Sequence, residues 1–212
     1  MNPAGRFAML AVTVTIALMI MVVRLTVSVL LPLSGPSEVL GYVVVVVLGA
    51  GLYGSIFRLL WMVFRRAVTL RKLMLGRHYI EGTWVGLIHP RKHHTSERIS
   101  QVAGYPVIVG KELNEAGDMV STWSSLTARI IPDEDQLVYA YKCSKAGPDC
   151  DFHGVAHFRL TRATEGAEAN GLDGHASDLL DGQKDMNTIR RVSDWEVTDA
   201  EALRTYAALT SA

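Results

Sequence analysis

Two stretches near the start of the chain, FAMLAVTVTIALMIMVV at 7–23 and VLGYVVVVVLGAGLYGSIF at 39–57, run seventeen and nineteen residues without a charge. Strands rarely exceed about ten residues, so uninterrupted runs of this length read as helices in spite of their valines. At about 1.5 Å per residue each is long enough to cross a hydrocarbon core of about 30 Å. With their continuations past Arg24 and Arg58, the spans cover about 7–31 and 39–64. A cleaved signal peptide fits poorly, because the first run is too long, no A-x-A-like site closes it, and a second apolar run follows at once. The N-terminal third is therefore expected to be a two-helix transmembrane hairpin.

The formal net charge of zero conceals a division. Residues 1–78 carry eight Lys/Arg against one acid, Glu38, and residues 79–212 carry thirteen against twenty, so the two parts sit near +7 and −7. The loop at 32–38 has no basic residue, whereas a connector at 65–78 holds Arg65, Arg66, Arg71, Lys72 and Arg77. The positive-inside rule then puts both termini, and everything after the second span, in the cytoplasm. Arg24 and Arg58 lie about two turns in from the span ends, where long side chains snorkel to the headgroups. A single hairpin cannot line a pore, so any permeabilising role requires several copies.

From Tyr79 the pattern changes. YIEGTWVGLI alternates between two faces, with Gly82, Trp84 and Gly86 on one of them, the period of a half-buried strand. Strands are expected near 79–88, 97–109, 119–131, 136–143, 152–162, 170–176 and 186–193, separated by turn-forming stretches such as HPRKHHTS, IPDEDQ and TEGAEANG. Short strands at this spacing predict a small antiparallel up-and-down barrel over 79–196, because closure removes exposed sheet edges. Trp84, flanked by two glycines, is expected to fill one barrel end, with Arg190 or Arg191 of the last strand stacked on its ring. The tail at 197–212 reads as a helix opened by a T-x-x-E box, Thr198 to Glu201, that plugs or buttresses the barrel.

Alternate positions place Trp123, Ser125, Thr127 and Arg129 on one face, and Leu137, Tyr139 and Tyr141 on another. Rings stack on bases, while Arg and hydroxyl donors suit phosphate; a fatty-acid site would be apolar throughout. The β region's charge of −7 gives no general attraction for an anion, so binding rests on a local pocket, and no DNA or RNA polymer is expected as partner. No G-x-S-x-G, P-loop, H-E-x-x-H or G-x-G-x-x-G is present. His89, His93 and His94 read as a solvated hairpin loop. His153 and His157 share a face with Val155 and Arg159 but have no acid at strand spacing to orient them. Cys143 and Cys150 are too few for a disulfide framework, and their spacing is wide for structural zinc. Neither an enzyme nor a metal or cofactor site is expected.

The order of parts, two apolar spans, a basic connector, then IEGTWVG, SSLTARI, LVYAY, HGVAHFRL, GLDGHASD and MNTIRRV, resembles the two-transmembrane, β-strand-rich effectors associated with bacterial CD-NTases in cyclic-oligonucleotide-based antiphage signalling (CBASS). The resemblance runs through about Val192. It implies a lipocalin-like cytoplasmic barrel that binds a cyclic dinucleotide made by the partner CD-NTase, followed by self-association in the bilayer and disruption of the bacterial inner membrane. The positions carried over are Trp84, Ser125, Tyr139, Tyr141 and Gly154. Thr127, Arg129 and Arg190 join them as expected ligand contacts from the strand pattern. His175, Asn187-Thr188 and the long loop at 163–170 depart from the family pattern. Two other functions fit the same layout: a membrane-tethered lipid- or hydrophobe-binding barrel, and a structural membrane adaptor.

Overall fold

The structure, a computed structural model, describes residues 3–30, 51, 54–55, 57–59, 61–63, 66–89, 91–102, 105–145, 151–180, 182 and 184–211. The chain divides into two compact units, 1–74 and 75–212.

In the first unit the first apolar run lies inside α1 (Pro3–Leu30), 28 helical residues or about 42 Å of axis. Ser28 Oγ turns back on the helix and donates to the Leu25 carbonyl at 2.9 Å, which satisfies the group without water. Among the described residues no helix is long and apolar enough to cross a membrane; in α1 the side chains are described without a break only over 12–25. The 32–38 loop and most of the 39–64 span lie outside the described residues. Within the basic connector a short helix, α2 (Val68–Leu75), carries Arg71 and Lys72.

The second unit is a closed barrel of eight antiparallel strands, each paired with its sequence neighbours and the last with the first. They are β1 (Gly82–His89), β2 (His93–Val102), β3 (Tyr105–Leu113), β4 (Met119–Ile131), β5 (Gln136–Lys145), β6 (Asp151–Arg162), β7 (Ala169–Asp178) and β8 (Lys184–Ser193). The expected run at 97–109 is two strands, not one. β2 and β3 pair from His94 against Leu113 to Val102 against Tyr105, and the Gly104 and Pro106 that interrupt the run were the breaking signal. The turn before β2 also ends sooner than expected, at Lys92 with φ of 57°, so His93 and His94 belong to a strand and not to a solvated loop.

One end of the barrel is sealed by the chain that leads into it. The 3-10 turn Gly76–His78 belongs to the barrel unit, so the expected connector is divided between the two units. Its path is fixed by Gln101, which accepts from the Ile80 N–H and donates to the His78 carbonyl, both at 3.0 Å. Trp84 is fully buried and donates its indole N–H to the Ile80 carbonyl at 2.8 Å. Arg191 on β8 lies 5.8 Å from the Trp84 ring and 5.7 Å from that of Tyr79, and is held by Glu168 at 2.9 Å. Of the two arginines expected to reach Trp84, Arg191 does so. Arg190 points outward, to Thr161 Oγ1 at 3.2 Å and Asp173 at 3.7 Å.

The terminal helix α3 (Asp199–Thr210) buttresses the barrel from outside. Thr198 accepts from the Glu201 N–H as its cap, and Ala202 and Tyr206 bury against Val85 on the outer face of β1. Leu209, one turn beyond Tyr206, is exposed. Lys111 to Asp199 at 2.6 Å and Arg98 to Glu196 at 2.5 Å pin the start of the helix segment.

The seal carries a large share of barrel stability. Trp84→Ala is expected to cost about 3–5 kcal/mol and Trp84→Phe, which keeps a ring but orphans the Ile80 carbonyl, about 1–3 kcal/mol. Chemical denaturation of the detergent-solubilised full chain checks the order.

Candidate functional site

The strand pattern fixes which residues face the barrel interior. Paired residues point the same way, so the Trp84–Glu97 and Trp84–Arg191 pairs put Thr95, Glu97, Ile99 and Gln101 inside on β2, and Asp185, Asn187 and Ile189 inside on β8. On β5 the inward set is Leu137, Tyr139, Tyr141 and Cys143, all buried. On β6, Gly154, Ala156 and Phe158 face in, and His153, Val155, His157 and Arg159 face out. Cys143 and the two histidines are thus on opposite faces of the wall, and no metal-holding cluster occurs among the described residues.

Toward the sealed end the interior is packed with Ile80, Ile99, Ile108, Leu137, Phe158, Leu172 and Ile189. Toward the other end it is hollow, with a cavity of about 90 Å³ whose lining includes Thr95, Glu97, Glu112, Trp123, Tyr139, Tyr141, Asp178 and Asn187, and whose rim includes Arg91 and Lys145. Two glycines make room for its rings. A Cβ on Gly110 would lie 2.3 Å from the Trp123 indole, and one on Gly154 would lie 2.2 Å from Cζ of Tyr141. Tyr139 stacks on Phe158 at 6.1 Å with 19° between the planes.

Carboxylates line this hollow. Glu112 is provided for: its Oε1 meets His93 Nδ1 at 2.7 Å, its Oε2 accepts from Ser121 Oγ at 2.9 Å, and Arg91 is 3.6 Å away. Histidine and serine both address the carboxylate and not each other, which is no arrangement for activating a nucleophile. Arg91 also bonds Asp185. Glu97 is different. It is fully buried, and among the described residues its side chain has one hydrogen bond, a long one from the Tyr139 hydroxyl at 3.5 Å, while its Oε2 has no partner. Burial pushes its pKa from 4.5 up to about 7, against a smaller lowering by Tyr139. Burial likewise raises Tyr141 and Cys143, and raises Tyr139 together with the charge of Glu97. Thr95 Oγ1 and Asn187 Oδ1 are also without partners among the described residues.

A larger groove of about 1110 Å³ runs over the outer face of β2–β4 beside the start of α3. Its cations Lys111 and Arg98 are already paired with Asp199 and Glu196. The internal hollow is therefore the candidate site.

The expected site residues separate into three groups. Tyr139 and Tyr141 line the hollow, and Gly154 makes the slot for the Tyr141 ring. Trp84 lies in the sealed end. Ser125, Thr127 and Arg129 do not share a face, because a bulge between Ser125 and Thr127 shifts the register against β5. Beyond it Ala128 and Ile130 turn inward and Thr127 and Arg129 become exposed on the outside, while Arg190 is outside on β8. Ser125 faces in, but its Oγ accepts from the Ile108 N–H at 2.9 Å, where pairing of β3 with β4 stops at Val109 and Ser124. Sequence reasoning missed Thr95, Glu97, Glu112, Asp178, Asp185 and Asn187. The alternation of HHTSERISQV carried the signal for the first two, hidden by reading its start as a turn. Comparison with family models, curated proteins and solved structures yields no match for the chain.

Two expectations follow. Because Glu97 binds its proton more tightly in the folded chain, its contribution to stability is full below pH 4.5 and declines as pH rises, being lost above about 7. The total is about 3 kcal/mol. The stability difference between wild type and Glu97→Gln, measured by denaturation at pH 5 and pH 8, should shift by most of that amount, about 2.5 kcal/mol, in favour of the variant at the higher pH. Gly154→Ala should displace the Tyr141 ring and cost about 1–3 kcal/mol, measured by the same method.

Proposed function

We propose that the chain is a membrane-anchored effector of cyclic-oligonucleotide-based antiphage signalling: its barrel binds a cyclic dinucleotide from a partner CD-NTase, and occupied barrels draw the transmembrane segments into an oligomer that disrupts the bacterial inner membrane. The observation that carries this reading is a barrel sealed at one end and hollow at the other. Aromatic walls there suit bases, and Lys145 at the rim suits phosphate, as does Arg91 on exchanging Asp185 for it. The apolar run at 7–23 and the basic residues of 65–78 support an anchor with the barrel on the cytoplasmic side.

The hollow, at about 90 Å³, is smaller than the 300–1,000 Å³ of ordinary ligand sites. A dinucleotide is admitted only if the Tyr141 and Phe152 rings move, and a receptor that rearranges on binding has the two conformations that a signal requires. Anchoring in a plane raises the effective concentration of partners, so the response to ligand is steep. The hydrophobe-binding alternative fits less well, since Glu97, Glu112, Asp178 and Asp185 all line the cavity and would face a lipid carboxylate or strand its tail. A structural adaptor gives no role to buried polar atoms without partners.

The test uses the full chain in detergent. A cyclic dinucleotide from a panel of base compositions raises the melting temperature by several degrees and increases the sedimenting mass, and a fatty acid does neither. Failure of every panel member to change stability or mass overturns the reading. In cells, exchange of 1–64 for an unrelated transmembrane hairpin is expected to abolish toxicity while leaving ligand binding intact.

A further inference from the structure

Three residues around the hollow end in polar atoms that are sealed from bulk solvent yet unbonded among the described residues. They are Thr95 Oγ1, Glu97 Oε2 and Asn187 Oδ1, on residues 1%, 1% and 7% exposed. Thr95 and Glu97 stand on β2 and Asn187 on β8, flanking β1 on either side, and all three line the same cavity. A polar space of about 90 Å³ has room for about three waters at roughly 30 Å³ each. A ligand that displaces such waters gains only if it restores the hydrogen bonds they make.

The types of the three atoms define what must arrive. The Glu97 and Asn187 oxygens accept, and the Thr95 hydroxyl both accepts and donates. Buried acceptors left unbonded are costly, so the ligand must bring N–H groups. A carboxylate is best met by two parallel N–H donors, the pattern of a ring N–H beside an amino group. Guanine presents that pair on its pairing edge. Adenine there offers a donor beside an acceptor, and uracil one donor between two acceptors.

We propose that Glu97, assisted by Thr95 and Asn187, is the specificity-determining group of the hollow and reads the adjacent N–H and NH₂ donors of a guanine base. The proposal rests on the nucleotide reading above and sharpens it. Trp123, Tyr139 and Tyr141 supply ring faces beside the carboxylate, and the hollow takes the edge of the base while ribose and phosphate stay toward Arg91 and Lys145. Discrimination follows from burial. Among the described residues no cation pairs with Glu97, so its charge is tolerated only when a ligand supplies donors, and a base without them leaves buried oxygens unpaired. A free guanidinium compound carries the same paired donors and is the other source of this chemistry.

The experiment titrates cyclic diguanylate, cyclic diadenylate, cyclic diuridylate and methylguanidine into the full chain in detergent, as wild type and as Glu97→Gln, with melting curves to establish that the isosteric variant is folded. Wild type is expected to bind cyclic diguanylate at least tenfold more tightly than the other two nucleotides, and Glu97→Gln to lose at least tenfold toward cyclic diguanylate alone. Nucleotide binding without that preference, or with the preference intact in Glu97→Gln, overturns the guanine assignment and leaves the nucleotide reading standing. The wild-type preference decides the matter even if the variant fails to fold. A response to methylguanidine alone assigns the hollow to a guanidinium cation and overturns both readings, as does no response to any of the four.

Discussion

The barrel depends on one stack of groups at its sealed end. Trp84 on the first strand lies beside Arg191 on the last, and its N–H is bound to the Ile80 carbonyl before β1 begins. Closing a sheet brings together strands separated by the whole length of the domain, at a cost in chain entropy that only strong contacts at the meeting point offset. A large ring under a guanidinium, with Glu168 satisfying that guanidinium, is such a contact. Gln101 extends it by holding the incoming chain at both Ile80 and His78. Entry of the chain, first strand and last strand are thereby fixed together, which leaves the opposite end as the place where the barrel departs from tight packing.

An eight-stranded barrel has an interior barely wide enough for its own side chains. Volume inside therefore has to be made by omission, and Gly110 and Gly154 make it: each removes a Cβ where the Trp123 or Tyr141 ring lies against the wall. Into this reduced space the sequence puts carboxylates. Glu112 is fully compensated by His93, Ser121 and Arg91, and contributes an ordinary buried network. Among the described residues Glu97 has nothing stronger than one long bond from Tyr139, and so departs from the rule that buried charge is paired. Local inconsistency of that kind in an otherwise consistent core is where function is expected.

How much of this was visible beforehand differs from strand to strand. The up-and-down barrel, the common face of Leu137, Tyr139 and Tyr141, the common face of His153 and His157 and the capped terminal helix follow from period and turn chemistry, and the structure has them. Which face turns inward is set by register, which the local pattern does not carry. The site was less legible, for two physical reasons. Extrapolating alternation along β4 assumed an unbroken pleat, but a single extra residue at the bulge reverses every face after it, which put Thr127 and Arg129 on the wrong side. The acidic half of the hollow was hidden because HPRKHHTS has the composition of a turn, and His93 onward is strand only by virtue of its pairing with β1 and β3. Long-range partners that decide such cases are not encoded in the local pattern.

The bulge also leaves the wall of the cylinder unevenly laced. Past Val109 and Ser124 the ladder between β3 and β4 gives way to one side-chain tie, Ser125 Oγ to the Ile108 amide, while β4 stays hydrogen-bonded to β5 down to Ile131. A hoop of eight staves yields first where two of them are not nailed along their length. That seam flanks the packed end below the hollow, so a loosening of the wall there reaches Ile108 and Ile130 before the cavity lining. At the opposite end β3 and β4 stay paired from Val109 to Leu113, so the two strands are laced beside the cavity and unlaced beside the packed core.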